Sequence, residues 1–208
     1  MLAPYISSAL ATLLVVADPI FLSALFVGVT SGMSRPEKRV VALRASIIAF
    51  FILIAAGLGG AKLLELLGIS LSAFRIAGGL LLLSSAAEMV FDRRGQRDKA
   101  TADQAVSIDH VHNVAAFPLA IPLMAGPGAI TAMILLAGRA EGRVDLLGAL
   151  FAVAFVVMLA CYVCFLLADG ISRIMGVTGR AVITRLLGIV LAALAVQFVI
   201  DGALALTR

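Results

Sequence analysis

One carboxylate, Asp18, lies well inside the otherwise uncharged apolar run Pro4–Thr30, and a proline follows it directly in Ala17-Asp18-Pro19. An unpaired carboxylate at a bilayer centre costs at least about 2.5–3.5 kcal/mol on insertion scales, so this acid must face the protein interior or carry a proton. Three chemistries suit it: a proton carrier, a cation ligand, or a partner for a substrate ammonium. The structural alternative is an acid that caps the half-helix after the proline, since Asp is a favoured N-cap. A second apolar run, Val114–Gly138, is interrupted in the same way by Pro122 and by Gly126-Pro127-Gly128. Proline removes a backbone donor and clashes with the preceding turn, so both runs are expected to kink or unwind. Backbone groups freed there are tolerated only against protein or a watered cavity. The candidate substrate-binding residues are therefore Asp18, Pro19 and Ser23 at the first break, and Ala125, Gly126, Pro127, Gly128 and Thr131 at the second. The hydroxyls of Ser23 and Thr131, one turn beyond the breaks, either line the same cavity or bond back to their own helices.

Arg75 and Arg185 stand at the entrances of two more apolar runs. Snorkelling to the headgroups is the default reading, and an inward structural or gating role is the alternative. Gln197 is deep enough to bond between helices, whereas Glu88 and Asp201 are read as interfacial. Cys161-x-x-Cys164 has the spacing of a redox or metal pair but falls inside an uncharged run, where such cysteines pack. His110-x-His112 has no companion ligand cluster. With no Walker A, H-E-x-x-H or G-x-S-x-G pattern, the chain reads as a non-enzyme without metal or cofactor.

These groups need elements that can sit in lipid. The 208 residues are 62% apolar and 13% charged, with mean hydropathy +1.15, which excludes a soluble globule and a disordered chain alike. The net charge of +4 is no nucleic-acid footprint, because the basic residues form short clusters between apolar runs. A helix crosses a bilayer with roughly 20 apolar residues. Six runs meet or approach that length: Pro4–Thr30, Ala45–Ala61, Ile76–Phe91, Val114–Gly138, Leu146–Ala168 and Leu186–Ile200. All are apolar on every face, unlike the alternating strands of a barrel. The expected fold is an all-α membrane protein with six transmembrane helices, the first and fourth broken.

Connections after the first, third and fifth runs hold 11 Lys and Arg residues against 5 on the other side. Both termini are thus expected outside the cytoplasm. The first run lacks a basic n-region and a cleavage pattern, and is read as a retained span.

A hydrophilic cytoplasmic linker, 93–113, separates two three-helix halves, 1–92 and 114–208. Ala17-Asp18-Pro19 matches Ala125-Gly126-Pro127 at an offset of 108, and Leu67-Gly68-Ile69-Ser70 matches Met175-Gly176-Val177-Thr178 at the same offset. Arg75-x-x-Gly78 matches Arg185-x-x-Gly188 at an offset of 110. An odd number of spans per half makes the second copy enter from the opposite face, giving a 3+3 inverted-topology repeat. In secondary transporters, paired breaks at corresponding places in such repeats mark the binding site. The expected partners are the lipid bilayer, a small-molecule solute and a coupling proton or sodium ion. A rival expectation is a non-transporting membrane scaffold or partner subunit whose breaks are packing features.

The stretch from Ala17-Asp18-Pro19 through Arg35-Pro36-Glu37-Lys38-Arg39, with Leu67-Gly68-Ile69-Ser70 and Arg75-Ile76-Ala77-Gly78-Gly79, resembles the first half of MarC-family (UPF0056) proteins. The segment Phe117-Pro118-Leu119-Ala120-Ile121-Pro122-Leu123-Met124-Ala125-Gly126-Pro127-Gly128 is similar to that family's most distinctive motif. Arg185-Leu186-Leu187-Gly188, Val196-Gln197-Phe198 and Asp201-Gly202 resemble its closing segment. The resemblance covers nearly the whole chain and implies a six-helix protein of the bacterial inner membrane, grouped with neutral amino-acid transporters.

Overall fold

The computed structural model describes residues 2–91, 115–140 and 142–206. The linker 93–113, with His110 and His112, lies outside them. The elements in order are α1 (Leu2–Ala17), α2 (Pro19–Val29), α3 (Arg35–Leu66), α4 (Leu71–Val90), α5 (Ala115–Met124), α6 (Pro127–Arg139), α7 (Val144–Leu166) and α8 (Ala168–Leu206). No strand occurs among the described residues. Five helical stretches are long and apolar enough to cross a membrane, with α1 and α2 together forming one of them. The count becomes six if α5 and α6, bent by 58° at their junction, form one span.

Local sequence accounts for the ends. Glu37 Oε2 accepts from the Ser34 N–H and hydroxyl, both at 2.7 Å, and closes the start of α3. From there α3 runs for 32 residues, about 48 Å, so it outruns a hydrocarbon core of about 30 Å. The apolar run Ala45–Ala61 is only its middle, because Arg35, Lys38, Arg39 and Arg44 are good helix formers and continue it. In α8, Gly176 takes φ 59° and ψ −172°, and the candidate span begins after it, at Thr178. Gly176 can hold this left-handed backbone because it has no Cβ.

Packing interleaves the two halves of the chain. α1 and α2 lie on α7, while α5 and α6 lie on α3; α2 also packs on α8, and α6 on α4. The most extensive contact joins α4 and α8, which run antiparallel, with Gly202 beside Ser72 and Gly188 beside Ala86. Glycines set their approach: a Cβ on Gly79 would meet the Ala195 carbonyl at 2.8 Å, and one on Gly188 would meet that of Ala86 at 3.1 Å. Such close approach suits lipid, where association depends on van der Waals packing. The outer faces stay apolar and uncovered by protein, with Phe51 64% and Leu58 62% exposed.

Candidate functional site

At the first break the chain turns on one residue. Asp18 adopts φ 44° and ψ 70°, a left-handed conformation that Asp tolerates better than most residues. Pro19 follows as the first residue of α2, where its missing N–H costs nothing. Asp18 Oδ1 accepts from the Phe21 N–H at 3.2 Å and so caps α2. Its Oδ2 accepts from Thr184 Oγ1 of α8, also at 3.2 Å. The residue is fully buried. Ser23 is buried too, and its hydroxyl donates to the Ile20 carbonyl at 2.6 Å in its own helix.

The second break is built differently. α5 is irregular, with extended backbone at Phe117 and Ile121 and a cis peptide between Ile121 and Pro122. Gly126 then takes an extended conformation, φ −76° and ψ 174°, as the residue before Pro127 opens α6. No side chain caps this helix. The N–H groups of Gly128 and Ala129 have no intrahelical partner, as at any helix start, and both residues line a cavity of about 430 Å³. Val16 of α1, Ser84, Ser85 and Glu88 of α4, and Leu191 of α8 form other walls, so both halves of the chain enclose it. Ser84, Ser85 and Glu88 share one face of α4 through their i, i+3 and i, i+4 spacing.

Chemically, this arrangement offers complementary ends. A helix N-terminus favours a carboxylate or another anion, a half-buried carboxyl group stands on the facing helix, and Ser84 and Ser85 line the same cavity.

Gly126, Pro127 and Gly128 thus meet in one cavity, with Ala125 buried beside them. Asp18, Pro19 and Ser23 belong to a neighbouring cluster that is not part of the cavity lining; Val16 bridges the two. The breaks are close, since a Cβ on Gly128 would lie 3.4 Å from Val16 Cγ1. Thr131 is buried against α4, where its methyl would be 2.5 Å from a Cβ on Gly78. Arg75 is half-buried near the start of α4, its Cβ 3.0 Å from where a Cβ on Gly202 would lie. Arg185 is exposed, next to the buried Thr184 that reaches Asp18.

Sequence reasoning passed over several of these groups. Glu88, expected at the interface, lines the cavity; it is the one ionisable residue of Ile76–Phe91 and carries serines one turn before it. That spacing is the signal that identifies a polar helix face. Thr184 has no comparable signal, because its contact with Asp18 spans 166 positions. Gln197 is exposed and donates to Asp201 Oδ1 at 2.7 Å, while Asp201 also pairs with Arg139. The Arg139 guanidinium lies 4.6 Å from the Phe198 ring centroid, and the Tyr5 hydroxyl donates to the Leu136 carbonyl at 2.9 Å. Together these contacts tie the end of α6 to α8 and α1. With side chains 26% and 31% exposed, removal of either ion-pair partner should cost about 1–2 kcal/mol, between surface and buried values. Thermal unfolding of Asp201→Ala, Arg139→Ala and the double variant will test this; strictly additive losses would dissolve the coupling.

The MarC family profile, described as MarC family integral membrane protein, matches residues 3–207. A UPF0056 membrane protein of Aquifex aeolicus is 37% identical over 196 residues, covering 92% of this chain and 88% of its own. The UPF0056 membrane protein YhcE of Escherichia coli is 33% identical over 190 residues, with 91% and 87% covered. The UPF0056 inner membrane protein MarC of Citrobacter koseri is 31% identical over 207 residues, with 96% and 94% covered. No solved structure matches the chain.

Proposed function

The chain belongs to the MarC family of integral membrane proteins, and on that premise we propose that it is a secondary transporter of a small zwitterionic solute, of the neutral amino-acid class. The observation that carries this reading is the cavity at the second break, with the start of α6 on one side and Glu88, Ser84 and Ser85 on the other. The α6 N-terminus receives the solute carboxylate, and Glu88 receives the ammonium or a coupling proton. A sodium ion in place of the proton is the other drive open to a chain that carries no nucleotide-binding motif.

The paired packing described above supports an inverted repeat, since α1 and α2 relate to α7 and α8 as α5 and α6 relate to α3 and α4. Rocking one half against the other around a central site is the motion this architecture permits. Both termini then face the periplasm, the orientation that the Lys and Arg distribution favours.

Flux of labelled neutral amino acids into proteoliposomes, with an imposed proton or sodium gradient, tests the reading. The wild-type chain should accumulate solute only with the gradient applied. Glu88→Gln should reduce accumulation at least tenfold or flatten its pH dependence while leaving insertion intact. Gradient-independent, background-level flux across the amino-acid set would leave the chain as a scaffold or partner subunit.

A further inference from the structure

We propose that the seam between α3 and α7 holds one anionic phospholipid, its phosphate on Arg35, Lys38 and Arg39 and an acyl chain in the apolar crevice further along the seam. Two cavities carry this inference. The first, about 290 Å³, lies where α2 ends and α3 begins, against the junction of α7 and α8. Arg35, Lys38 and Arg39 line it together with a single acid, Asp169, and apolar walls from Phe26 and Phe165. The two rings stack at 4.7 Å between centroids. Among the described residues the ion pairs are Arg139 with Asp201 and Arg143 with Asp145, so no described carboxylate, Asp169 included, comes within ion-pair distance of the three cations of the cleft. The nearby Glu37 is engaged with Ser34.

The second cavity, about 130 Å³, lies along the same two helices. It is almost wholly apolar, with Phe50 and Phe51 of α3 facing Phe155 and Tyr162 of α7. The cations at 35–39 precede this crevice on α3, and 165–169 follow it on α7, so the basic cleft caps its end. About nine residues separate the cleft from the crevice centre on α3, roughly 14 Å of helix, a distance that the glycerol and first methylenes of a lipid can span.

The chemistry selects the ligand. Guanidinium groups match phosphate oxygens in pairs, and an ammonium adds a point charge. A basic pocket between membrane helices on the face favoured by the positive-inside bias is suited to an anionic headgroup. A free phosphate would use the cleft and leave the crevice unfilled. The proposal is independent of the transport reading, since the two sites have no lining residue in common.

Native mass spectrometry of the full chain, titrated with phosphatidylglycerol or phosphatidylcholine, tests it. One long-chain phosphatidylglycerol should be retained in preference to phosphatidylcholine. Arg35→Gln or Arg39→Gln should each weaken retention about fivefold at low salt. Asp169→Asn should strengthen it by removing the one opposing charge, and this variant leaves the positive-inside bias untouched. Arg173→Gln, which removes a cation outside the cleft lining, should leave retention unchanged. Six-carbon phosphatidylglycerol should bind more weakly than the long-chain form. Equal retention across the four variants, or inorganic phosphate competing as well as long-chain lipid, would overturn the proposal.

Discussion

Gly126→Ala should lower the stability of the protein by about 3 kcal/mol, or roughly 10 °C in Tm for a chain of this size. A Cβ on Gly126 would collide with the Pro122 carbonyl oxygen, and that oxygen is part of the backbone between Pro122 and Pro127. It cannot move aside as the end of a flexible side chain would. The neighbouring Gly128 should tolerate the same change. Its Cβ would meet Val16, Leu82 and Ser85 at 3.4, 3.5 and 3.7 Å, ordinary contact distances, so Gly128→Ala should keep Tm within a few degrees. The same methyl group enters the cavity, and by the usual worth of a methylene in a binding pocket it should weaken solute binding about tenfold. Gly28, with nothing within 4 Å of its Cβ direction, serves as the control, and Gly28→Ala should be neutral or slightly stabilising. Thermal unfolding and solute binding measured on all three variants will decide. If Gly126→Ala and Gly128→Ala behave alike, the turn described here is wrong.

Asp18→Ala should cost about 3–4 kcal/mol, because three effects act at one position. The cap on α2 is lost, which is worth about 0.5–2 kcal/mol. The buried Thr184 hydroxyl loses its acceptor, at about 1–3 kcal/mol. Alanine must also hold a left-handed backbone, at about 1–2 kcal/mol. These overlap and are not simply summed. Asp18→Asn should lose less than about 1 kcal/mol, since Asn tolerates the same conformation, caps almost as well and retains a partner for Thr184. Asp18→Gly should fall between them, relieved of strain but without a cap. The order Asn, Gly, Ala in decreasing Tm is the expected outcome, and an alanine variant as stable as the asparagine one would remove the capping account. Functionally, both carboxylate oxygens are engaged within the protein. Asp18→Asn should therefore leave the pH profile of flux in place while Glu88→Gln alters it. A profile changed by Asp18→Asn would return Asp18 to the role of proton carrier.

The membrane class, the number of apolar runs and the location of both breaks were legible in the residues because they depend on local quantities. Run length against bilayer thickness, the missing N–H of Pro19 and Pro127, and the expense of a lone acid in lipid need no knowledge of distant contacts. Helix ends were less legible: α3 extends well beyond its apolar run, because charged helix formers continue a helix into the headgroup region as readily as apolar ones.

The division of labour between the breaks was not legible. Ala17-Asp18-Pro19 and Ala125-Gly126-Pro127 look equivalent along the chain, yet the first is closed by its own carboxylate and Thr184, while the second has no side-chain cap and opens on a cavity. An acid at a break signals that charge must be satisfied, and leaves open whether a ligand or the protein satisfies it. That choice rests on what the folded chain brings alongside: Thr184 from α8 at one break, Ser84, Ser85 and Glu88 from α4 at the other. Composition and periodicity act within one helix and so prescribe helices and their interruptions. Partners far apart in the chain meet only when close packing of α4, α6 and α8 sets the distances, and those distances decide which acid is enclosed between helices and which lines the cavity.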